Sequence, residues 1–258
     1  MPTNQKRSKF TKYSFVSLIG ILGLPFIGIT LVYAILGVQA DGHTVNRVFE
    51  ASRPFSNISI STHMIFGALI TALAPLQLLM GWSRKWLKTH RIIGYIFTLA
   101  AVLTSIGGFV YVGIHGTTGG TPMNIAFSMY GVFLLIATYQ TIQFARQKDI
   151  PKHNEWALRL FILAMGSWFY RICYGFYFTL DPSGSGHTDD FHGLFDLIMN
   201  FGFFIPPLIL LEIYFYLNKR GKFNIHPIIS SLSVLLVSGI LITGCWWIFS
   251  RIIGAILS

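Results

Sequence analysis

The chain has 258 residues, of which 53% are hydrophobic and only 11% are charged, and its formal net charge is +10. Soluble domains carry about 25% charged residues, and a soluble core would not accommodate this much Phe, Leu and Ile. The composition therefore excludes an ordinary soluble domain and indicates that most of the chain is surrounded by lipid.

Seven apolar runs with few charges follow one another along the chain. They cover residues 14–38, 59–81, 92–113, 122–145, 156–179, 193–217 and 227–250. Each run is near or above the roughly 20 residues that a helix needs to cross about 30 Å of hydrocarbon. A helix is also the structure that satisfies the backbone of an isolated segment in lipid. We therefore predict an all-α polytopic membrane protein, a bundle of about seven transmembrane helices forming one domain over residues 1–258.

Basic residues are concentrated in every second connection between these predicted spans. Fifteen of the nineteen Lys and Arg residues lie before the first span or around the connections from second to third, fourth to fifth and sixth to seventh. The positive-inside rule then gives a cytoplasmic N-terminus and an external C-terminus. Topology and contact with anionic lipid account for the basic charge, so nucleic acid is not predicted as a partner.

The first apolar run has some features of a secretory signal. A basic stretch precedes it, and the small-residue sequence Val38-Gln39-Ala40 follows it. The run has 25 residues, which is longer than the usual 7–15 residues of the apolar region of a signal. We therefore predict that the run is retained as a span.

The second span carries an ionisable residue within a stripe of small residues. Ionisable groups are costly inside a membrane and normally face the bundle interior or a water-filled space. Gly67, Ala74, Gln77 and Gly81 follow His63 at helical spacing, which favours a close neighbouring helix. Packing explains the glycines, but it does not explain His63.

Arg171 lies inside the apolar fifth span, and acidic and polar residues enter from the same side on the sixth. His192, Asp196 and Asn200 are four residues apart and share one helix face. The number of residues from the outer surface indicates that Asp196 and His63 lie at about the same depth as Arg171. The sequence therefore predicts an ion pair between Arg171 and Asp196, either as a structural link or as part of an outward-opening site with His63 and His192.

Two more histidines occur at the predicted cytoplasmic ends of spans. His90 precedes the third apolar run and His153 precedes the fifth. Basic and aromatic residues commonly anchor helices at the membrane interface, which is one explanation for both. No span contains a closely spaced set of His and acidic ligands, so no metal site is predicted.

An ordered set of short motifs connects several of these residues. The motifs are His63-x-x-x-Gly67, Pro75-Leu76-Gln77, His90-Arg91-x-x-Gly94-Tyr95, His153-x-x-Trp156 and Arg171. In this order they resemble a bacterial family of predicted membrane proteins catalogued as domain of unknown function 2306, over about residues 58–175. The resemblance implies a multi-pass protein of the bacterial cytoplasmic membrane. It marks His63, His90, His153 and Arg171 as motif positions without giving them a role.

Histidines near both predicted faces favour a b-type haem redox protein as the first functional hypothesis. Two axial histidines on different transmembrane helices can hold haem b. The candidate cofactor-binding residues are His63, His90, His153 and Arg171, with His115 or His192 as a second outer histidine. An electron-transfer protein would then be the partner.

A transporter or small-ligand-binding membrane protein is the alternative. Its ligand-binding residues would be His63, Arg171, His192 and Asp196, with the arginine receiving an anionic group and the others relaying protons. No inverted repeat is visible, which weakens the transporter hypothesis. A non-catalytic membrane scaffold is the third hypothesis. The sequence identifies no catalytic residue and leaves open whether the chain is an enzyme.

Overall fold

The computed structural model describes residues 2–39, 49, 52–221 and 227–257. Over these residues the chain forms eight α-helices, one short turn of 3₁₀ helix at Arg84–Trp86 and no strand. The helices are α1 Pro2–Gln39, α2 Pro54–Gly81, α3 Leu87–Ile114, α4 Gly120–Arg146, α5 Ile150–Leu180, α6 Leu194–Gly202, α7 Ile205–Lys219 and α8 Pro227–Leu257.

Most of the described helices have the length and composition of membrane spans. Five stretches meet both criteria: Tyr13–Ile35, Pro54–Gly81, Leu87–Ile114, Gly120–Arg146 and Leu194–Lys219. Helix α5 is also long, at 31 residues, but its charged first half and Arg171 lower its hydropathy. The described apolar part of α8 is Leu235–Ser250. The predicted all-α polytopic membrane bundle is therefore confirmed.

The outer surface of the bundle is apolar, as contact with lipid requires. Leu24, Ile92 and Leu210 are 60%, 63% and 66% exposed. Their exposure would be unfavourable in water, where contiguous apolar surface drives association. The bilayer is therefore the partner of this surface.

Two rings of helices share α2 and α5. In the first, which we call the core ring, α2, α3, α4 and α5 contact one another in that order and α5 closes on α2. Helices α3 and α5 are therefore diagonal to each other across this ring. The second ring, which we call the side ring, consists of α1, α2, α5 and α8. Each of these helices contacts the next in that order, and α8 contacts α1. Helices α1 and α5 are diagonal across it.

Small residues allow these helices to approach closely. A Cβ atom on Gly175 of α5 would lie 2.5 Å from the carbonyl oxygen of Gly244 in α8, and one on Gly107 of α3 would lie 2.7 Å from that of Ser59 in α2. Lipid gives little hydrophobic driving force for helix association, so close packing at small residues supplies it. Two glycines of the stripe noted in the sequence also face α3, since a Cβ atom on Gly67 would lie 3.4 Å from Thr104 and one on Gly81 would lie 3.3 Å from His90.

The predicted sixth span is interrupted between α6 and α7. Helix α6 ends at Gly202, and α7 begins at Ile205 with Pro206 and Pro207 in its first turn. Proline has no N–H for the helical hydrogen-bond pattern but fits the first turn of a helix. The two prolines therefore start a new helix in the middle of the apolar run.

The short connections lie at two faces of the bundle. The first face contains residues 82–86, 147–149 and 220–221, and the second contains residues 52–53, 115–119 and 181–193. The basic residues of the sequence predict that the first face is cytoplasmic.

Candidate functional site

His90 and His153 lie beside each other at the first face. Their ring centroids are 6.3 Å apart, and the ring planes are nearly perpendicular, at 84°. His90 belongs to the first turns of α3 and His153 to those of α5. Because these helices are diagonal in the core ring, the two imidazoles meet across its interior.

The ring of His153 is oriented by a backbone carbonyl group. Its Nδ1 lies 3.0 Å from the carbonyl oxygen of Thr141 in α4. A carbonyl oxygen can only accept, so Nδ1 donates and Nε2 of the neutral ring keeps its lone pair. Histidines that bind metals are commonly oriented by this kind of outer hydrogen bond.

His90 has a buried ring nitrogen with no hydrogen-bond partner in the described part of the chain. That atom is Nδ1. The main chain of His90 is fixed, since its carbonyl oxygen accepts a hydrogen bond from Nε2 of Gln77 at 3.3 Å. A Cβ atom on Gly81 would lie 3.3 Å from Cε1 of the ring, so the glycine provides its space. Burying an unsatisfied polar atom costs about 1–3 kcal/mol, which makes His90 a candidate ligand.

His63 is held between α2 and α3, in the half of the bundle nearer the second face. Its Nδ1 donates to the carbonyl oxygen of Thr104 at 2.8 Å, and the Thr104 hydroxyl donates back to the His63 carbonyl oxygen at 2.7 Å. A Cβ atom on Gly108 would lie 2.9 Å from the same Nδ1. This reciprocal pair explains why a polar histidine is tolerated in the glycine-rich contact.

The other histidines of the second face have their own neighbours. His115 stacks on Tyr111 with ring centroids 5.0 Å apart. His192 is exposed, and its Nδ1 lies 3.2 Å from a carboxylate oxygen of Asp190. His115 therefore packs on the last turn of α3, and His192 is paired with an acidic residue of the connection between α5 and α6.

The predicted ion pair between Arg171 and Asp196 is wrong. Asp196 is fully buried in the first turn of α6. Its two carboxylate oxygens accept hydrogen bonds from four groups: the Tyr174 hydroxyl at 2.6 Å, His187 Nδ1 at 2.7 Å, Thr188 N–H at 3.0 Å and Gly193 N–H at 3.1 Å. These donors satisfy the carboxylate without an arginine.

The sequence did not single out any of the four donors to Asp196, among them His187. It lies in the connection between α5 and α6, nine residues before Asp196. A buried carboxylate requires a partner, and a histidine in an adjacent Gly-rich loop can fold back onto it. The position of Asp196 was a second signal, because a carboxylate at the third residue of a helix can accept from the N–H of the residue before the helix, here Gly193.

Arg171 lies in the side ring and points towards α1. Its Nη1 donates to both the carbonyl and the hydroxyl oxygen of Ser167, each at 3.0 Å. The guanidinium carbon is 5.0 Å from the ring centroid of Phe26 in α1. It also interacts electrostatically with His63 and with Tyr130. In the part of the chain that the structure describes, Arg171 forms no ion pair.

Comparison with known proteins identifies one family. The family described as predicted membrane protein (DUF2306) matches residues 60–215. The comparisons with curated proteins and with solved structures gave no match. The matched range begins in α2 and ends in α7, so it includes the core ring, His63, His90, His153 and Arg171. The predicted resemblance is confirmed, and the match extends beyond residue 175, the expected end, through α6 and into α7.

Proposed function

The chain belongs to the family of predicted membrane proteins catalogued as domain of unknown function 2306, and from the geometry of His90 and His153 we propose that it is a b-type haem redox protein of the membrane. The two histidines would be the axial ligands of one haem at the first face. Haem would supply a one-electron carrier there. The observation that carries the proposal is the meeting of these two rings across the core ring.

The separation of the two rings suits one metal ion between them. A bond from a metal ion to an imidazole nitrogen is about 2 Å long. With ring centroids 6.3 Å apart, His90 and His153 would together hold one iron. The two rings come from different helices, as in haem sites built in the interior of helix bundles.

The number of ligands favours haem iron over a bare ion. Structural and catalytic zinc sites use three or four protein ligands. The described residues contain no group of three or more His, Cys, Asp and Glu side chains suited to a metal ion. Haem iron has four nitrogens from its own porphyrin and needs only two axial ligands, which a histidine pair can supply.

The hydrogen bonding of His90 and His153 is also compatible with coordination of haem iron. His153 has its Nδ1 on the Thr141 carbonyl group, which leaves Nε2 free to coordinate. His90 can rotate without breaking a hydrogen bond of Nδ1, since that atom has none among the described residues. Lys88 and Arg91, both exposed and close to His90 in sequence, are suited to the carboxylates of the haem propionates.

An absorption spectrum of the detergent-purified protein tests the proposal. We expect a Soret band and a reduced-minus-oxidised spectrum, with about one haem per chain by pyridine haemochrome assay. His90→Ala and His153→Ala should each remove the absorbance, whereas His192→Ala, in an exposed loop, should retain it. A folded but colourless wild-type protein from cells supplied with haem would overturn the proposal.

Ligand binding in the membrane is a second candidate function. The observation in its favour is Arg171, a cation without a described carboxylate partner. Two of the four ligand-binding residues expected from the sequence already have other partners. Asp196 is satisfied by other donors, and His192 is at the surface with Asp190.

A further inference from the structure

Arg171 carries a positive charge deep in a membrane helix. It is nine residues from Leu180, the last residue of α5, which corresponds to roughly 14 Å of helix. Its guanidinium group bonds to Ser167, one turn farther from the second face. The charge therefore lies near the middle of α5, where an ionised side chain is costly and normally marks a functional position.

Arg159, on the same helix, is neutralised by a carboxylate of the chain itself. Arg159 donates from Nε and Nη2 to the two carboxylate oxygens of Glu212 in α7, at 2.6 and 2.9 Å. This two-point geometry matches the fork of a guanidinium group. Arg171 lacks an equivalent partner among the described residues.

Most of the guanidinium donors of Arg171 remain available. The group has five N–H donors, and the described hydrogen bonds use Nη1 only. Its near neighbours His63, Tyr130 and Tyr170 interact with it electrostatically. Histidine and tyrosine are ordinarily neutral near pH 7, so none of the three supplies a negative charge.

The surroundings of Arg171 leave space for a ligand. Helices α1 and α5 both pack on α2 and α8 and are diagonal across the side ring. Arg171 contacts Phe26 across this diagonal, yet its side chain is exposed. Part of the Arg171 side chain is therefore accessible beside its contact with Phe26. Phe26 also fixes the plane of the guanidinium group, as in a cation–π contact.

We propose that Arg171 binds the anionic group of an amphiphilic ligand that occupies the gap between α1 and α5. The anion is a carboxylate or a phosphate, because the guanidinium fork matches two oxygens on one such group. The rest of the ligand is apolar, because the charge lies at hydrocarbon depth and Phe26 borders it. The proposal rests on the second candidate function, ligand binding at Arg171, and it is independent of haem at the first face, since it uses other residues.

Binding of defined amphiphiles to the full-length protein in detergent tests this site. The probes are oleate, its uncharged ester methyl oleate, phosphatidylglycerol and inorganic phosphate, with bound ligand counted by native mass spectrometry. Oleate should bind at least about tenfold more tightly than methyl oleate, as expected for a charge-assisted contact. Tighter binding of phosphatidylglycerol than of oleate would identify the source of the anion as a lipid headgroup. Binding of inorganic phosphate alone would contradict the apolar part of the proposal.

Substitutions of Arg171 test whether the ligand binds at this residue. Arg171→Gln should lose about tenfold or more in affinity for the charged probe, and Arg171→Lys should lose less, because it keeps the charge but not the fork. Arg220→Gln, at the exposed end of α7, should bind as the wild type does. Equal binding by Arg171→Gln and wild type would overturn the proposal. If Arg171→Gln does not fold, equal binding of oleate and methyl oleate to the wild type overturns it.

Discussion

His187 donates a hydrogen bond from Nδ1 to the fully buried carboxylate of Asp196, at 2.7 Å. The histidine lies in the connection that closes the second face, and the aspartate lies in the first turn of α6. Two backbone N–H groups of the same connection donate to the same carboxylate. Asp196 thus links the connection between α5 and α6 to the helix bundle.

Asp196→Asn should therefore destabilise the protein. The amide keeps the shape of the side chain but removes the charge and turns one acceptor into a donor that faces other donors. Removing one partner from a buried hydrogen-bonded group costs about 2–4 kcal/mol. Thermal unfolding in detergent is the measurement, with Asp190→Asn at the surface as the control. Equal stability of the two variants would contradict the structural role of Asp196.

The close contact of α5 with α8 predicts the effect of one added methyl group. Gly175→Ala would place Cβ 2.5 Å from the carbonyl oxygen of Gly244, so the two helices must separate. Overpacking of this kind costs about 1–3 kcal/mol. Gly239→Ala is the matched control, because a Cβ atom there meets no atom within 4 Å. It should be neutral or slightly stabilising, as alanine favours a helix. A Gly175→Ala protein that is as stable as Gly239→Ala would show that α5 and α8 are not so close.

The proposed haem site predicts a change in reduction potential. His153→Met keeps an axial ligand for iron but replaces imidazole by a thioether, which raises the potential. An increase on the order of 100 mV is expected, well within the range of about 0.8 V that axial ligands span. Spectroelectrochemical titration measures it, with the exposed His192→Met as control. An unchanged potential in a haem-containing His153→Met protein would exclude His153 as a ligand.

The loop at the end of α5 predicts a pH dependence. Hydrogen bonds from Ser183 and from Ser185 hold the pKa of Asp181 below its usual range. A carboxyl group whose pKa is lower in the folded state stabilises the fold above its unfolded pKa, and this contribution is lost as the pH falls through the folded pKa. The wild type should therefore melt at a higher temperature than Asp181→Asn at pH 7. The difference should begin to shrink as the pH falls below about 4, and it should disappear only below the lowered pKa of Asp181 in the folded state. A difference that grows on acidification would contradict this account.

Much of the fold could be predicted because it depends on local properties of the sequence. A span needs a sufficient length of apolar side chains, and neither property depends on distant residues. The sixth run was longer than the helices it contains, since Pro206 and Pro207 start α7 within it. Their position was visible in the sequence, but where the chain resumes a helix after Gly202 depends on packing.

The candidate sites were only partly predictable. The residue types and their heights along the helices identified His63, His90, His153 and Arg171, and the family match includes all four. Height does not determine the rotation of a helix about its axis. The association of His90 with His153 across the core ring therefore required the structure.

The sequence by itself determined that this is a multi-pass membrane protein, because hydropathy and length act segment by segment. It also identified the ionisable residues inside those segments. Only the tertiary structure decided their partners. Arg171 and Asp196 have opposite charges, and the sequence suggested similar depths. The carboxylate is nevertheless satisfied by Tyr174, His187 and backbone donors of a loop that folds back onto α6. Hydrogen bonds act over about 3 Å, so which donor reaches a buried acceptor depends on loop conformation and helix rotation.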